Sequence, residues 1–311
     1  MTAYILARLG RALLTIFLVL TFSFTILAST GDPALLIMSV DAPPEAVEAF
    51  RKQYGLDAPI WQQYLGYLKN LAAGNMGRSL RDGREAWAVV TERIPMTLAI
   101  TVPAFLLKIV IGGPAGVYAA LYRNSLTDRF VMMFSVAGYT VPSFVLGLLL
   151  VLVFAVKLGW LPSGGYETWM HAILPVITLG TAGAAIIARY TRSAMLEVLG
   201  QPYVRTGRAK GLLWETVVRR HALPNAAIPT VTVIGFMLGT LIAGAVVVES
   251  VFAWPGVGRL LISAVANRDL MIVQAILFLV AVSMVIANFL VDLTYGLIDP
   301  RLRSGVGDGR S

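Results

Sequence analysis

Very few residues in this sequence could carry acid–base, nucleophilic or metal chemistry. There is no cysteine, which excludes thiolate metal sites and cysteine nucleophiles, and the only histidines are His171 and His221. No phosphate-binding Gly-x-x-x-x-Gly-Lys-[Ser/Thr] loop and no His-Glu-x-x-His or Gly-x-Ser-x-Gly motif occurs. Lys108, Asn288 and Asp292 are too scattered to form a catalytic constellation. We therefore expect no catalytic residue, metal ion or cofactor on this chain.

The composition agrees with this scarcity of reactive side chains. Of the 311 residues 57% are hydrophobic and 14% are charged, and the mean hydropathy is +0.76. Ordinary soluble domains carry about 25% charged residues, so the composition argues against a soluble globular domain. The apolar excess also argues against a disordered chain. The sequence therefore predicts a membrane protein.

Apolar stretches of about 20 residues predict six transmembrane helices in an all-α, polytopic fold. The first stretch is longer than the apolar core of a signal peptide and no clear cleavage site follows, so we expect it to be retained. The predicted spans are residues 9–28, 96–121, 130–156, 173–188 with a continuation to 196, 227–251 and 272–298.

A mostly polar stretch separates the first two predicted spans. Its apolar residues recur at helical spacing in two short segments, closed by Gly55 and Gly74, which predicts small amphipathic helices outside the membrane. We therefore divide the chain into an N-terminal tail with the first span (1–28), an external segment (29–93), a transmembrane core with five spans (94–298) and a tail (299–311).

The basic residues predict the orientation of the chain. With the N-terminus cytoplasmic, fourteen Lys and Arg residues fall inside, and the two short outer loops hold only Lys157, Arg259 and Arg268. The external segment holds seven more, but long loops cross the membrane largely regardless of charge. Both termini are therefore predicted to be cytoplasmic. This bias accounts for the net charge of +8 without a nucleic-acid partner.

The loop between predicted spans four and five, residues 203–224, is strongly basic and also amphipathic. Its apolar residues cluster at helical spacing: Leu213, Trp214, Val217 and Val218. Gly211 and Pro224 bracket a short helix, and we expect Pro224 and Pro229 to end it before the fifth span. Composition alone favours a loop lying on lipid headgroups.

The spacing in this loop resembles the EAA loop of permease subunits from ABC importers: Gly211, nine residues, His221, then Leu223 and Pro224. The segment Tyr203-Val-Arg-Thr-Gly-Arg-Ala-Lys-Gly211 is similar to the peptide-type version and departs from it only at Gly207, where that version has alanine. The glutamate of the general family pattern falls on Arg205. The resemblance implies a coupling helix that docks in a groove of the ATPase subunit. The implied docking residues are Arg205, Thr206, Gly207, Ala209, Gly211, Leu213, Trp214, His221 and Pro224. We expect His221 to cap or pack this helix.

Further blocks along the chain resemble the first permease of dipeptide, oligopeptide and nickel-type ABC importers, which is distinguished by a long external segment between spans one and two. The blocks are Gly31-Asp-Pro33, Tyr54-Gly-Leu-Asp57, Gly77-Arg-Ser-Leu80, Val141-Pro-Ser-Phe144 and residues 158–166, 249–259 and 292–301. The resemblance implies an inner-membrane location and a second, homologous permease. It also implies two cytoplasmic ATPase subunits that hold ATP and Mg²⁺, and an external substrate-binding protein that docks on residues 29–93 and 254–259. The substrate, whether peptide, nickel, glutathione or oligosaccharide, stays open.

Several residues are candidates for the transport pathway or its gate: Lys108, Pro142, Ser143, Glu249, Trp254, Pro255 and Gly256. Lys108 lies near the middle of predicted span two and should face a cavity or a partner, unless the span is shifted and the side chain snorkels. Pro142 breaks span three, where Ser143 could bond the freed backbone groups. The turn at 254–256 fits the outer mouth of a pathway or an ordinary interfacial turn with a tryptophan anchor.

The main alternative is a stand-alone secondary transporter or channel. Such proteins are commonly built from internal repeats, and no convincing repeat is visible between the two halves of the sequence. The sequence therefore favours the permease subunit of an ATP-driven importer.

Overall fold

The computed structural model describes residues 2–29, 34, 42–79 and 81–298, without the side chains of residues 2–9, 27–29, 54 and 291–298. The turn predicted at Gly31-Asp-Pro33 and the tail 299–311 lie outside the described residues. Within them the chain is helical, as expected, and the one β-bridge joins Arg78 to Glu85.

The N-terminal half contains seven described helices. They are α1 (Thr2–Ser29), α2 (Pro44–Tyr54), α3 (Ile60–Ala72), α4 (Ala86–Thr91), α5 (Ile94–Leu121), α6 (Leu126–Thr140) and α7 (Ser143–Leu150), which continues as a π-helical turn (Val151–Lys157).

The C-terminal half contains seven more described helices. A 3₁₀ turn (Trp169–Ala172) leads into α8 (Ile173–Leu199), then α9 (Pro202–Ala209), α10 (Trp214–Val217), a π-helical turn (Val218–Ala222) and α11 (Leu223–Gly239). A second 3₁₀ turn (Ala243–Ala245) precedes α12 (Val246–Val251), α13 (Val257–Ala266) and α14 (Leu270–Ile298).

Four described helical stretches are long and apolar enough to cross a membrane: Ala86–Leu121, Trp169–Leu199, Trp214–Gly239 and Leu270–Leu290. A fifth candidate is the pair α6 and α7 with its π-turn, which is bent by 104°. In α1 the stretch Gly10–Ile26 is apolar but shorter. The membrane-spanning character is therefore confirmed, whereas the count of six and the orientation of the termini stay predictions.

The bend between α6 and α7 lies where the sequence predicts a break. Val141 is extended (φ −77°, ψ 119°), because a following proline disfavours the helical conformation. The Pro142 carbonyl accepts hydrogen bonds from the backbone N–H groups of Val145 and Leu146. The Ser143 hydroxyl has no hydrogen-bond partner among the described residues, so its expected bonding of freed backbone groups is not observed.

Two expectations about the fifth span are wrong. Pro224 and Pro229 do not end the preceding helix, because a π-turn leads directly into α11 and Pro224 occupies its first turn. The Asn225 side-chain amide donates to the His221 carbonyl at 2.6 Å in this turn. The predicted span 227–251 is also interrupted, because α11 ends at Gly239 and only short helical segments follow before Val251.

The chain divides into two compact units, residues 1–97 with 255–283 and residues 98–254 with 284–311. In the first unit, α3 attaches to α1 through the rings of Tyr64 and Tyr67, whose centroids lie 5.2 and 5.7 Å from that of Phe24. The turn after Gly77 is held by a hydrogen bond from the Ser79 hydroxyl to the carboxylate of Asp269.

In the second unit, α8 lies at the centre, and α6, α7 and α11 all pack against it. Helix α5 also approaches α8 closely through glycine. A Cβ atom added to Gly112 would lie 2.6 Å from the Ala184 carbonyl, so only a glycine permits this approach.

Candidate coupling site

The loop predicted to couple transport to ATP hydrolysis is a compact helical structure, which we call the coupling segment (residues 203–224). Helix α9 begins at Pro202, in the first turn where proline is tolerated. The chain then reverses at Gly211, whose φ of +80° is a left-handed conformation that L side chains rarely adopt. This turn sets the direction of α10.

The inner face of the coupling segment is packed into the membrane helices. Val217 is fully buried, and Val204 on α9 is 2% exposed. One buried apolar cluster joins the segment to the ends of α5 and α8 and the start of α11: Ala120, Ala194, Met195, Val218, Ala222 and Ala226. The base of the segment is therefore fixed to the helices that it would move.

The outer tip of the coupling segment is apolar and exposed. Leu213 is 77% exposed and Trp214 is 44% exposed, and Leu212 is exposed beside them. The Arg208 guanidinium lies 5.3 Å from the centroid of the Trp214 ring, in cation–π geometry. A protruding tryptophan and leucine on a packed base fit the pocket-filling anchors of protein interfaces.

The predicted docking residues divide between these two faces. Gly207 is buried at the contact between α9 and α10, and the other members are exposed: Arg205, Thr206, Ala209, Gly211, Leu213, Trp214, His221 and Pro224. The expectation that the His221 side chain caps or packs the helix is not met, because its ring is exposed and Asn225 bonds its carbonyl instead.

Gly207 is the one position where the loop departs from the peptide-type pattern. A Cβ atom added there would lie 3.5 Å from Val217 Cγ2 and 3.7 Å from Leu212 Cδ1, both ordinary van der Waals distances. The fold therefore has room for the alanine of the peptide-type loop, and the departure at Gly207 does not alter the path of the backbone.

Sequence reasoning missed an ion pair that braces the helix leading into the coupling segment. Asp128 on α6 accepts from Arg192 on α8 in a bidentate pair, with Nε–Oδ1 of 2.5 Å and Nη2–Oδ2 of 2.8 Å. The Asp128 side chain is only 4% exposed, and its carboxylate also accepts from the Asn124 backbone N–H. The two residues are 64 positions apart in the sequence, and no local motif joins them.

The pathway candidates lie on several different helices and turns. Lys108 lies on α5, whereas Glu249 is fully buried on α12, and its carbonyl accepts from the Trp254 backbone N–H at 2.8 Å. Trp254 is 5% exposed, so it packs inside the protein rather than standing free as an interfacial anchor. Gly256 is buried, and the Pro255 carbonyl accepts from the Arg93 guanidinium at 3.5 Å.

No group of three potential metal ligands occurs among the His, Asp and Glu residues that the structure describes. The described residues instead form an exposed apolar tip at Leu213 and Trp214 and an ion pair that joins α6 to α8. Lys108 is a lysine within the apolar helix α5.

Comparison with known proteins identifies the family over nearly the whole chain. Residues 112–304 match the family described as binding-protein-dependent transport system inner membrane component, and residues 1–101 match its N-terminal region family. The glutathione transport system permease protein GsiC of Escherichia coli (strain K12) is 41% identical over 305 residues, which cover 97% of this chain and 99% of that protein. GsiC of Shigella dysenteriae serotype 1 matches equally.

Two solved transporters share the fold. The inward-facing methionine ABC transporter MetNI gives a TM-score of 0.56 at 24% identity, covering 68% of this chain and 96% of that chain. An amino acid ABC transporter gives 0.51 at 20% identity, covering 67% and 92%. With its predicted loop motif present as a packed helical segment, the chain belongs to the family of binding-protein-dependent transport system inner membrane components and is a permease subunit of an ABC importer.

Proposed function

We propose that this permease carries a small peptide or peptide-like solute across the inner membrane, with glutathione as the first candidate. The observation that supports the proposal is the 41% identity to a glutathione permease over nearly the full length of both chains. The identity of the solute and the surface that binds the ATPase subunits are each testable in a reconstituted importer.

The proposed assembly pairs this chain with a second, homologous permease and two ATPase subunits. The ATPase subunits hold ATP and Mg²⁺, since no phosphate-binding loop occurs in this sequence. Each would receive the tip formed by Leu212, Leu213 and Trp214 of a coupling segment, because exposed apolar anchors on a rigid base bind well in pockets.

The external partner in this proposal is a substrate-binding protein that docks on residues 29–93 and 254–259. Two exposed features support a docking role for the external segment. Ile60, Trp61 and Leu65 form an apolar edge on α3. The turn that carries Arg81 and Asp82 is charged, and a hydrogen bond from the Arg84 backbone N–H lowers the pKa of Asp82.

ATP binding would close the ATPase dimer and move the two coupling segments. Because the base of each segment packs against α5 and α8, the movement would pass to the helical core as a rigid displacement. The permease pair would then alternate between two packings, open to one side of the membrane at a time.

The test is solute uptake by proteoliposomes that contain the complete importer. Loaded substrate-binding protein and internal ATP should give uptake of glutathione or a dipeptide, and omission of ATP should abolish it. Uptake of no peptide-like solute by the complete importer would contradict the proposed substrate class.

The docking surface is tested with two exposed leucines. Leu213→Ala should weaken ATPase binding at least tenfold, as expected for the loss of an interface anchor. Leu126→Ala is the matched control, because Leu126 is 83% exposed at the start of α6 and lies outside the tip. Equal effects of the two substitutions would contradict docking at the tip.

A further inference from the structure

Lys108 lies on the protein-facing side of α5, at the midpoint of this 28-residue helix. One stripe at helical spacing is buried or partly buried: Thr101, Ala104, Lys108, Gly112 and Gly116. Another stripe is exposed: Val102, Leu106, Val110, Pro114 and Tyr118. Because each residue adds 1.5 Å of rise, Lys108 is about 20 Å from both ends of α5, beyond the reach of snorkelling.

Gly183 on α8 has no side chain and so leaves room for that of Lys108. The Cγ, Cδ and Cε atoms of Lys108 occupy the space where a Cβ atom of Gly183 would stand. One turn earlier, the side chain of Leu107 occupies the corresponding space over Gly180. The two glycines thus hold two neighbouring α5 side chains in place along the same seam, and only one of those side chains carries a charge.

Among the described residues, the Lys108 ammonium has no hydrogen bond and no ion pair. Its side chain is still partly exposed on the seam between α5 and α8. A charge at mid-membrane depth is strongly unfavourable against lipid, so this exposed part requires water or a polar partner. Ammonium groups carry three hydrogen-bond donors, and an anionic acceptor would satisfy them best.

We propose that the Lys108 ammonium binds a carboxylate group of the solute during its passage through the membrane. This inference rests on the proposed function, since peptides and glutathione carry free carboxylates. Gly183 is a positioning residue for the site, because its missing side chain sets where the lysine stem lies. The solute leaves the site readily because a single charged contact holds it.

The first experiment tests whether position 108 lines a water-filled path. Lys108→Cys introduces the only cysteine of this chain, so a charged, water-soluble methanethiosulfonate reagent labels this chain at position 108 alone, and modification is read on the separated permease band. In the assembled importer, Lys108→Cys should react in at least one nucleotide state, and a dipeptide without a thiol, added with loaded binding protein, should slow the reaction. Ala104→Cys on the buried stripe and Val110→Cys on the outward stripe are the controls, and neither should be labelled by a charged reagent. Absence of labelling at 108 in every nucleotide state would overturn the proposal.

The second experiment tests whether the Lys108 ammonium recognises a carboxylate of the solute. Uptake is compared for a dipeptide with a free C-terminal carboxylate and for its amide, at saturating binding protein, in wild-type and variant importers. Lys108→Met should slow the free acid about tenfold more than the amide, because only the acid loses a charge-assisted contact. Lys108→Arg should keep most of the preference for the acid. Equal slowing of both solutes by Lys108→Met would assign a purely structural role.

Two glycine substitutions separate the effect of where the Lys108 side chain lies from the effect of its charge. Gly183→Ala keeps the ammonium charge but displaces the lysine stem that carries it, and it should reduce the preference for the free acid. Gly180→Ala displaces Leu107 instead and should leave the preference unchanged. An identical loss in both variants would count against the site. If position 108 is labelled and protected while the wild type imports no peptide-like solute, the proposed substrate fails and the pathway assignment survives.

Discussion

Two charged side chains at the central helix α8, Arg192 on the helix itself and Lys108 packed against it from α5, differ in how their charges are compensated. Near its C-terminal end, Arg192 forms a bidentate ion pair with the buried Asp128. At mid-helix, Gly183 accommodates the stem of Lys108, whose ammonium has no partner among the described residues. One charge is fully compensated inside the protein, whereas the other is left with free donors.

This difference separates a charge that holds two helices together from one that we propose to contact the solute. Removing a buried partner leaves the other charge uncompensated, so the Asp128–Arg192 pair restricts α6 and α8 to one arrangement. The restricted end is also the end that leads into the coupling segment. The seam around Lys108 is instead spaced by glycines, and its charge has no partner among the described residues.

The largest expected effect follows from breaking the ion pair. Asp128→Asn should destabilise the permease by about 3–5 kcal/mol, because it leaves the largely buried Arg192 guanidinium without its counter-charge. Unfolding in a detergent titration measures the free-energy change, and ATP-driven uptake should fall with it.

A double substitution distinguishes the pair from the individual residues. Asp128→Asn combined with Arg192→Met removes both charges and should recover most of the lost stability. Additive losses would mean that the two side chains act independently and that the ion pair does not brace this end of α8.

The two charged places also show how far the sequence alone predicts the site. Lys108 could be identified as a candidate because a lysine inside an apolar stretch is visible in the sequence. The Asp128–Arg192 pair could not, because each residue lies in a region that reads as an ordinary polar loop or helix end. Which charges are paired depends on the packing of α6 against α8, and no local pattern encodes that packing.

The same limit applies to the helix ends. The break at Pro142 was predictable because proline restricts the preceding residue locally. The continuation through Pro224 was not, because a π-turn and the Asn225 amide compensate for the proline there. The buried faces of the coupling segment followed the predicted spacing only in part: Val217 and Val218 are buried, whereas Leu213 and Trp214 are exposed.

A substitution of Lys108 should change the free energy of unfolding in the opposite direction from Asp128→Asn. Lys108→Met replaces an uncompensated charge by an apolar side chain of similar length, and should stabilise the folded permease by about 2 kcal/mol. Unfolding in a detergent titration measures the gain in the free energy of unfolding, and Asp128→Asn measured in the same way gives the loss for comparison. Destabilisation by Lys108→Met would show that the ammonium has a structural partner, and the contrast between the two places would disappear.

The third prediction concerns the turn of the coupling segment. Gly211→Ala should cost about 1–2 kcal/mol, because the φ of +80° is strained for any residue with a Cβ atom. No atom lies within 4 Å of the added methyl group, so crowding contributes nothing. The cost should appear as weaker ATPase co-purification with little change in solute selectivity, unlike any change at the Lys108 seam. A selectivity change in Gly211→Ala would contradict the separation of the two regions.

The smallest effect is expected at Gly207, which serves as the matched control for Gly211 within the same segment. Gly207 has an ordinary helical backbone in α9, and the added methyl group would meet Val217 and Leu212 at ordinary contact distances. Gly207→Ala should therefore stabilise the segment by roughly 0.5–1 kcal/mol, because alanine loses less backbone entropy in a helix. Measured ATPase affinity should stay equal or rise slightly. A loss of affinity comparable to that of Gly211→Ala would mean that the segment must flex at α9, and that its packed base is not the rigid end that the ion pair implies.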